Sequence, residues 1–351
     1  MPPTPAEGQR PPARAPLLND VARLAGVSAQ TVSRVVNASG YVSVETRTRV
    51  ERAVEQLGYR PNRAARALAT RRTSTMGVIA SDSRHWGPAS VRRAVEHEAR
   101  RRGYAVSAVD LESVTGEELA AAIDHLLRQD VEGIVVVAAR DETLAAVQAQ
   151  RPTVPLVLAE GDAPALTTVG VDQAAGSRLA TEHLIALGHR CIAHVAGPAD
   201  WPEARAREQG WRHALGAAGL AVIEPWRGDW SPDSGYEAGR ALAARHDVSA
   251  AVVANDQMAL GVLRALHEGG RRVPDDVSLV GFDDIPEAAY LLPPLTTVRQ
   301  DFAAVGVRCM EALHALIEGD AAGAAPAVHR IPADLVVRAS TGPWCSGGGR
   351  H

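Results

Sequence analysis

The hydrophobic rhythm of this chain changes near residue 75. Before that point, apolar positions recur every three or four residues, the period of helices with one buried face. In Leu18 to Asn37, LNDVARLAGVSAQTVSRVVN, Ala22 is small where two helices must cross closely. Gly26 stands where the turn needs a positive φ, and Val32 and Val35 supply the buried side of the second helix. Ser28 is placed to N-cap that helix, which leaves Ala29, Gln30, Ser33 and Arg34 on the face opposite the valines. Ser43 to Leu57 predicts a third amphipathic helix, with Val50, Val54 and Leu57 at helical spacing and Gly58 as its stop. This spacing suits a helix-turn-helix whose second helix enters a DNA major groove; an ordinary buried αα-hairpin is the alternative.

From Thr75 onward, short apolar runs alternate with amphipathic helical segments, the pattern of a parallel α/β architecture. MGVIAS, YAVSAVD, GIVVVAA, VPLVLA, TTVGV, IAHVAG, AAVVAN and VSLVGF read as strands buried on both faces. Helices are expected between them, among them Val91 to Arg102, Glu117 to Arg128, Gly176 to Ala186, Tyr236 to Arg245 and Ala259 to Glu268. No GxGxxG runs from a strand into a helix and no P-loop occurs, so a dinucleotide enzyme lacks its phosphate cradle.

Charge divides the chain at the same place. Residues 1 to 75 hold 12 Arg against 5 acids, whereas the remainder holds 25 Arg against 36. A basic end supplies phosphate neutralisation, and an acidic remainder limits indiscriminate binding to nucleic acid. At 351 residues and 46% hydrophobic, the chain can bury the cores of a small domain and a larger two-lobed one. Residues 1 to 16, with six prolines, and the end from Ser340 read as flexible tails. Neither has an apolar run of signal-peptide type, so a cytoplasmic protein is expected. Cys191, Cys309 and Cys345 are widely separated, which fits reduced thiols and offers no metal-ligand pattern.

The headpiece continues into YRPNRAARALA, and later segments read ALGHR, GDWSPDSG, VANDQMALG and PPLTTVRQDF. Together these resemble the LacI/GalR family of bacterial transcription regulators, from about Leu18 to about Ala339. The resemblance implies a headpiece over 17–60, a hinge helix and linker over 61–73, and a sugar-binding and dimerisation domain over 74–339. Lobe one would hold about 74–171 and 301–330, and lobe two about 172–300 and 331–339, two doubly wound sheets as in periplasmic binding proteins. The crossings would fall near Val171, Gln300 and Arg330, with 340–351 as tail. Asn62, Arg63 and Arg66 would approach DNA in the hinge, and Leu68 would wedge open a base step from the minor groove. In the recognition helix, Gln30 is retained while Ala29 replaces a large aromatic. Thr31, Ser33, Arg34 and Asn37 are the better candidates for phosphate positioning and base reading, Arg34 foremost at a guanine.

A sugar site calls for planar carboxylates, amides and guanidinium groups that engage adjacent hydroxyls, with an aromatic against the ring. By resemblance, Arg207 in the turn after IAHVAG, Trp230, Asn255 and Asp283 supply these. Three of them have a plainer alternative: Arg207 a solvated charge, Trp230 a core residue, Asp283 a turn cap beside Asp284. Ser81 would reach the sugar, Val91 and Phe302 would form apolar walls, and Gln300 would bond ligand or water. Where the family pattern has a pocket aspartate after the fourth strand, this chain reads Ala159-Glu160-Gly161. Asp82, Trp86 and Trp201 add polar and aromatic groups near the expected cleft, and an extra aromatic can form a subsite for a second sugar unit.

The expected protein is a homodimeric, sequence-specific repressor of carbohydrate-utilisation genes, released from operator DNA by a galactoside, glucoside or related oligosaccharide. A corepressor-dependent regulator of the same fold is the alternative. A sugar-transport component would have no use for residues 18 to 70. No catalytic residues, cofactor, metal or membrane partner are expected, because His183, His189 and His194 lack metal-helix spacing with a general base.

Overall fold

The computed structural model describes residues 16–37, 40–59, 72–111, 115–138, 140–150, 152–161, 163, 165–319 and 325–344. The readings on Asn62, Arg63, Arg66, Leu68 and Cys345 fall outside the described residues. The chain divides into two units, Met1–Thr73 and Ser74–His351.

The first unit carries three helices, α1 Leu18–Ala25, α2 Ala29–Val36 and α3 Val44–Leu57. Gly26 ends α1 at φ 63, the left-handed conformation that lets the chain turn within two residues into α2. Ser28 Oγ accepts from Thr31 N at 3.1 Å and caps α2, and Ser43 Oγ caps α3 through Thr46 N. Val21, Ala22, Ala25, Val32, Val35, Val50, Ala53 and Tyr59 form the core. Two details differ from the sequence pattern. Val54 and Leu57 are only half-buried while Ala53 takes the inner position, because small side chains let α3 lie close to α1. Ala29, expected on the free face of α2, is also half-buried against this core, since the first turn of the helix starts from the tight corner at Gly26.

The second unit contains two six-stranded sheets. The first comprises β1 Thr75–Ser81, β2 Ala105–Leu111, β3 Gly133–Val137, β4 Leu156–Ala159, β5 Thr167–Val171 and β11 Val328–Ile331, in the order β11-β5-β4-β3-β1-β2. All its pairings are parallel. The second comprises β6 Ile192–Ala196, β7 Trp226–Arg227, β8 Ala250–Val253, β9 Ser278–Asp283, β10 Thr296–Gln300 and β12 Ala333–Val336, in the order β12-β10-β9-β8-β6-β7. Here only β12 runs antiparallel to its neighbour.

Helices α4 Trp86–Arg101, α5 Gly116–Leu127, α6 Asp141–Ala149 and α11 Phe302–Glu318 belong to the first lobe. Helices α7 Gln173–Ala186, α8 Pro202–Ala217, α9 Pro232–Ala243 and α10 Asp256–Glu268 belong to the second. Central strands are buried along their whole length, which is why β3 and β8 read as unbroken apolar runs, and β6 is broken only by the buried His194. The chain passes between the sheets after Val171, after Gln300, and between Ile331 and Ala333.

One expectation is overturned at the C-terminal end. Ser340 is fully buried: its Oγ accepts from Thr296 N at 2.7 Å and donates to Leu279 O at 2.6 Å. Trp344 N donates to Leu187 O at 2.8 Å, and its ring lies 5.8 Å from that of His189. Residues 340–344 are therefore a docked strap. Nothing periodic announces it, because the anchors are single side chains and backbone groups matched to β9, β10 and the end of α7.

Candidate functional site

Between the sheets of the second unit lies a cleft open to solvent. Its polar wall comes from the carboxyl ends of strands and the helices that follow: Glu160 after β4, Asn255 after β8, Asp283 ending β9 and Gln300 ending β10. Arg207 and Gln173 complete it, and Val91, Val137 and Phe302 supply apolar surface. Arg207 is not in a turn after β6, as its position in sequence suggested, but inside α8. Pro202 starts that helix early and turns Arg207 inward.

Four side chains from four segments form a ring of three hydrogen bonds closed by an ion pair. Arg207 Nε donates to Gln173 Oε1 at 2.9 Å, Gln173 Nε2 to Gln300 Oε1 at 2.8 Å, and Gln300 Nε2 to Asp283 Oδ1 at 2.6 Å. Asp283 Oδ1 lies 3.6 Å from Arg207 NH1, which also donates to Ala254 O. The guanidinium stacks 3.9 Å from the centroid of Phe282 and 5.5 Å from that of Trp230. Burial pushes Asp283 up to about 6, against the pull of Arg207 and the Gln300 amide. Burial likewise lowers the Arg207 pKa while Asp283, Glu203 and Glu160 raise it.

Asn255 faces the cleft but is already engaged. Its Oδ1 caps α10 by accepting from Met258 N at 2.9 Å, and its Nδ2 donates to Trp230 O at 3.1 Å. That bond holds Trp230 at φ 74, a left-handed conformation costly for a tryptophan. Trp230 is thereby aimed into the cleft, edge-on to Trp201 at 5.3 Å between centroids, and His85 is edge-on to Trp201 at 5.2 Å. Trp86 adds a third indole. The Nε1 atoms of Trp86, Trp201 and Trp230 are buried without a partner among the described residues.

Ser81 is buried at the end of β1 with its Oγ unpartnered, but it does not line the cleft. Asp82 is also outside it. Both its oxygens accept from Arg140, at 3.0 and 3.2 Å, and Arg140 NH1 reaches Asp200 Oδ2 of the other lobe at 3.0 Å. Arg205 NH1 and NH2 grip Asp141 across the same gap, both at 2.7 Å. Gln173, Glu203 and His85 were not singled out as cleft residues from the sequence; the placement of Gln173 just past the crossing at Val171 was the available signal.

In the first unit, Gln30 and Arg34 are exposed on α2. Thr31 Oγ1 lies 2.9 Å from Ser28 Oγ, and Asn37 Nδ2 donates to Ser33 Oγ at 3.1 Å, so these hydroxyls are oriented by their own helix. Among the described residues no helix is long and apolar enough to cross a membrane, and no three His, Cys, Asp or Glu side chains gather as metal ligands.

A helix-turn-helix unit and a two-lobed unit with a polar and aromatic cleft define a ligand-responsive DNA-binding regulator. Residues 17–62 match the model of bacterial regulatory proteins of the lacI family, and residues 181–341 that of the periplasmic binding protein-like domain. The chain is 38% identical to the lactose operon repressor of Escherichia coli over 92% of this chain and 90% of that protein. It is 40% identical to the transcriptional regulator CelR of Thermobifida fusca over 84% and 89%. The crystal structure of the lac repressor dimer bound to operator and the anti-inducer ONPF superposes with a TM-score of 0.81 at 37% identity, covering 94% of this chain and all of that one. The CelR–cellobiose complex gives 0.68 at 36%, covering 93% and 99%. The chain belongs to the lacI family of transcription regulators.

Proposed function

We propose that this regulator is a homodimeric repressor that leaves its operator when a sugar of one or two rings fills the cleft. The observation that carries this reading is the combination, in one cleft, of the Arg207–Gln173–Gln300–Asp283 ring with the indoles of Trp86, Trp201 and Trp230. Amide, carboxylate and guanidinium groups suit vicinal hydroxyls, and indole faces suit the C–H side of a pyranose. Glu160, Asn255, Val91 and Phe302 complete the contact set. On the DNA side, Gln30, Thr31, Ser33, Arg34 and Asn37 of α2 would read and position the major groove, with Ala29 packing the start of the helix. Acting on chromosomal DNA, it would work in the cytoplasm. If the sugar prefers a lobe arrangement that DNA disfavours, each must weaken the other by the same factor.

Fluorescence anisotropy of a labelled duplex from upstream of its own coding sequence tests this, with titration by glucose, galactose, lactose and cellobiose. Salt-sensitive binding reversed by one of these sugars is the expected result. Binding tightened by a sugar would make it a corepressor-dependent regulator, and binding indifferent to every sugar would refute the effector reading.

A further inference from the structure

Glu160 and Glu203 come from opposite lobes and both line the cleft, Glu160 just past β4 and Glu203 in the first turn of α8. Gly161 N donates to Glu203 Oε1 at 3.0 Å, which draws the Glu203 carboxyl to the residue beside Glu160. Glu160 sits at φ 67, and its carboxyl lies against bare backbone: Val171 N donates to Oε1 at 3.4 Å, and a Cβ on Gly170 would come within 2.9 Å of Oε2. Glu203 Oε2 is buried with no partner among the described residues.

The surrounding cations are shared with other groups. Arg207 and Arg330 face Glu160, and Arg207 and Arg205 face Glu203. Arg207 is bound to the Gln173–Asp283 ring, Arg205 grips Asp141, and Arg330 donates to Gly161 O at 3.4 Å. The buried Cys309 thiol nearby carries no compensating charge. Two carboxylates buried in one cleft wall, with their cations committed elsewhere, disfavour being ionised together.

We propose that Glu160 and Glu203 share one proton when the lobes are closed, and that this proton links closure of the cleft, and with it effector binding, to pH. The pair then offers a ligand hydroxyl one donor and one acceptor. Burial and the Glu203 charge push Glu160 up to about 8, and burial raises Glu203 as well. Opening admits water and returns both toward the ordinary carboxyl range. The closed state therefore binds more protons between that range and about 8, so rising pH weakens closure through this window and adds nothing above it. The effector half of this proposal rests on the sugar reading given above; the proton half does not.

The full-length protein without sugar is melted between pH 5 and 9 beside Glu160→Gln and Glu203→Gln. The wild type should lose melting temperature as pH approaches 8, and each variant should lose less, because it has one buried carboxyl fewer and the remaining one no longer faces a second charge. Asp256, outside the cleft and also raised by burial, contributes alike to all three. If one variant does not fold, the other decides. Cellobiose affinity of the wild type should fall at least tenfold from pH 6 to 8, and by a clearly smaller factor in the variants. Wild-type melting slopes reproduced by the variants would overturn the proposal. Absence of cellobiose binding at every pH would instead count against the sugar reading, with the melting curves still deciding the proton.

Discussion

Arg207 Nε meets Gln173 Oε1 at 2.9 Å, joining a helix of the second lobe to the residue where the chain has just crossed from the first. A guanidinium fixed in this way is preorganised for ligand hydroxyls without spending rotamer entropy on binding. Arg207→Lys keeps the charge but cannot hold Gln173, Ala254 and Asp283 together. Calorimetric titration with the active sugar should show a loss of about 2 kcal/mol, some thirtyfold, while operator affinity without sugar is retained. Equal sugar affinity would remove Arg207 from the site.

Trp201 stands between His85 of one lobe and Trp230 of the other, so it has more influence on cleft length than on the polar ring. Trp201→Ala should weaken a two-ring sugar by about 1 to 2 kcal/mol and a single-ring sugar by much less. Parallel losses for both would place Trp201 in the core and not in a second subsite.

Arg140 spans the lobes from Asp82 to Asp200 and lies 5.6 Å over the Trp201 ring. Its removal leaves Asp82, with a side chain 6% exposed, without its bidentate partner. Arg140→Ala should populate the open lobe arrangement and raise the apparent sugar Kd several-fold, by lowering the competent fraction. Small-angle scattering of the free protein checks this: a variant with an unchanged radius of gyration would show that the bridge does not hold the lobes.

Asp256 accepts from the Thr297 hydroxyl at 2.6 Å and from Ile285 N at 2.9 Å, and burial, with help from Asp283, pushes it up to about 8. Its folded pKa lies above the unfolded one, so the folded state binds more protons between the ordinary carboxyl range and about 8. Its contribution to stability falls as pH rises through that window. Asp256→Asn should cost about 1 kcal/mol at pH 5, and the gap should narrow toward pH 8. Denaturant melts at the two pH values measure it; a gap that widens would contradict the assignment.

Arg34 is exposed near the end of α2, with no ion pair among the described residues. Arg34→Ala should cost about 1 to 3 kcal/mol on the specific site and relax discrimination at one base pair. Competition binding against single-base operator variants reads this directly, and equal losses on random duplex would reduce Arg34 to a phosphate contact.

Much of the architecture was legible in one dimension because its causes are local. Gly26 and Gly58 end helices at positive φ, Ser28 and Ser43 cap the next ones, and the valine-rich runs are strands. Several cleft residues were legible for a related reason: parallel strands deliver whatever follows them to one edge, so Glu160, Asn255 and Asp283 could be placed by counting. Ser81 follows the same rule and still misses the cleft, because position at a strand end does not settle which way a short side chain looks.

The sequence by itself thus determined the two kinds of unit, their helices and strands, and the edge where ligand chemistry collects, since periodicity, capping and turn chemistry act over a few residues. Only the tertiary structure decided that Arg207 closes a ring with Gln173, Gln300 and Asp283, that Arg140 bridges Asp82 to Asp200, and that Ser340 to Trp344 dock as a strap. It alone brought Glu203 to the backbone beside Glu160, where Gly161 N donates to it. These are pairings between groups far apart in the chain, made by how two lobes pack, and the free energy of a buried polar group depends on which partner arrives within about 3 Å.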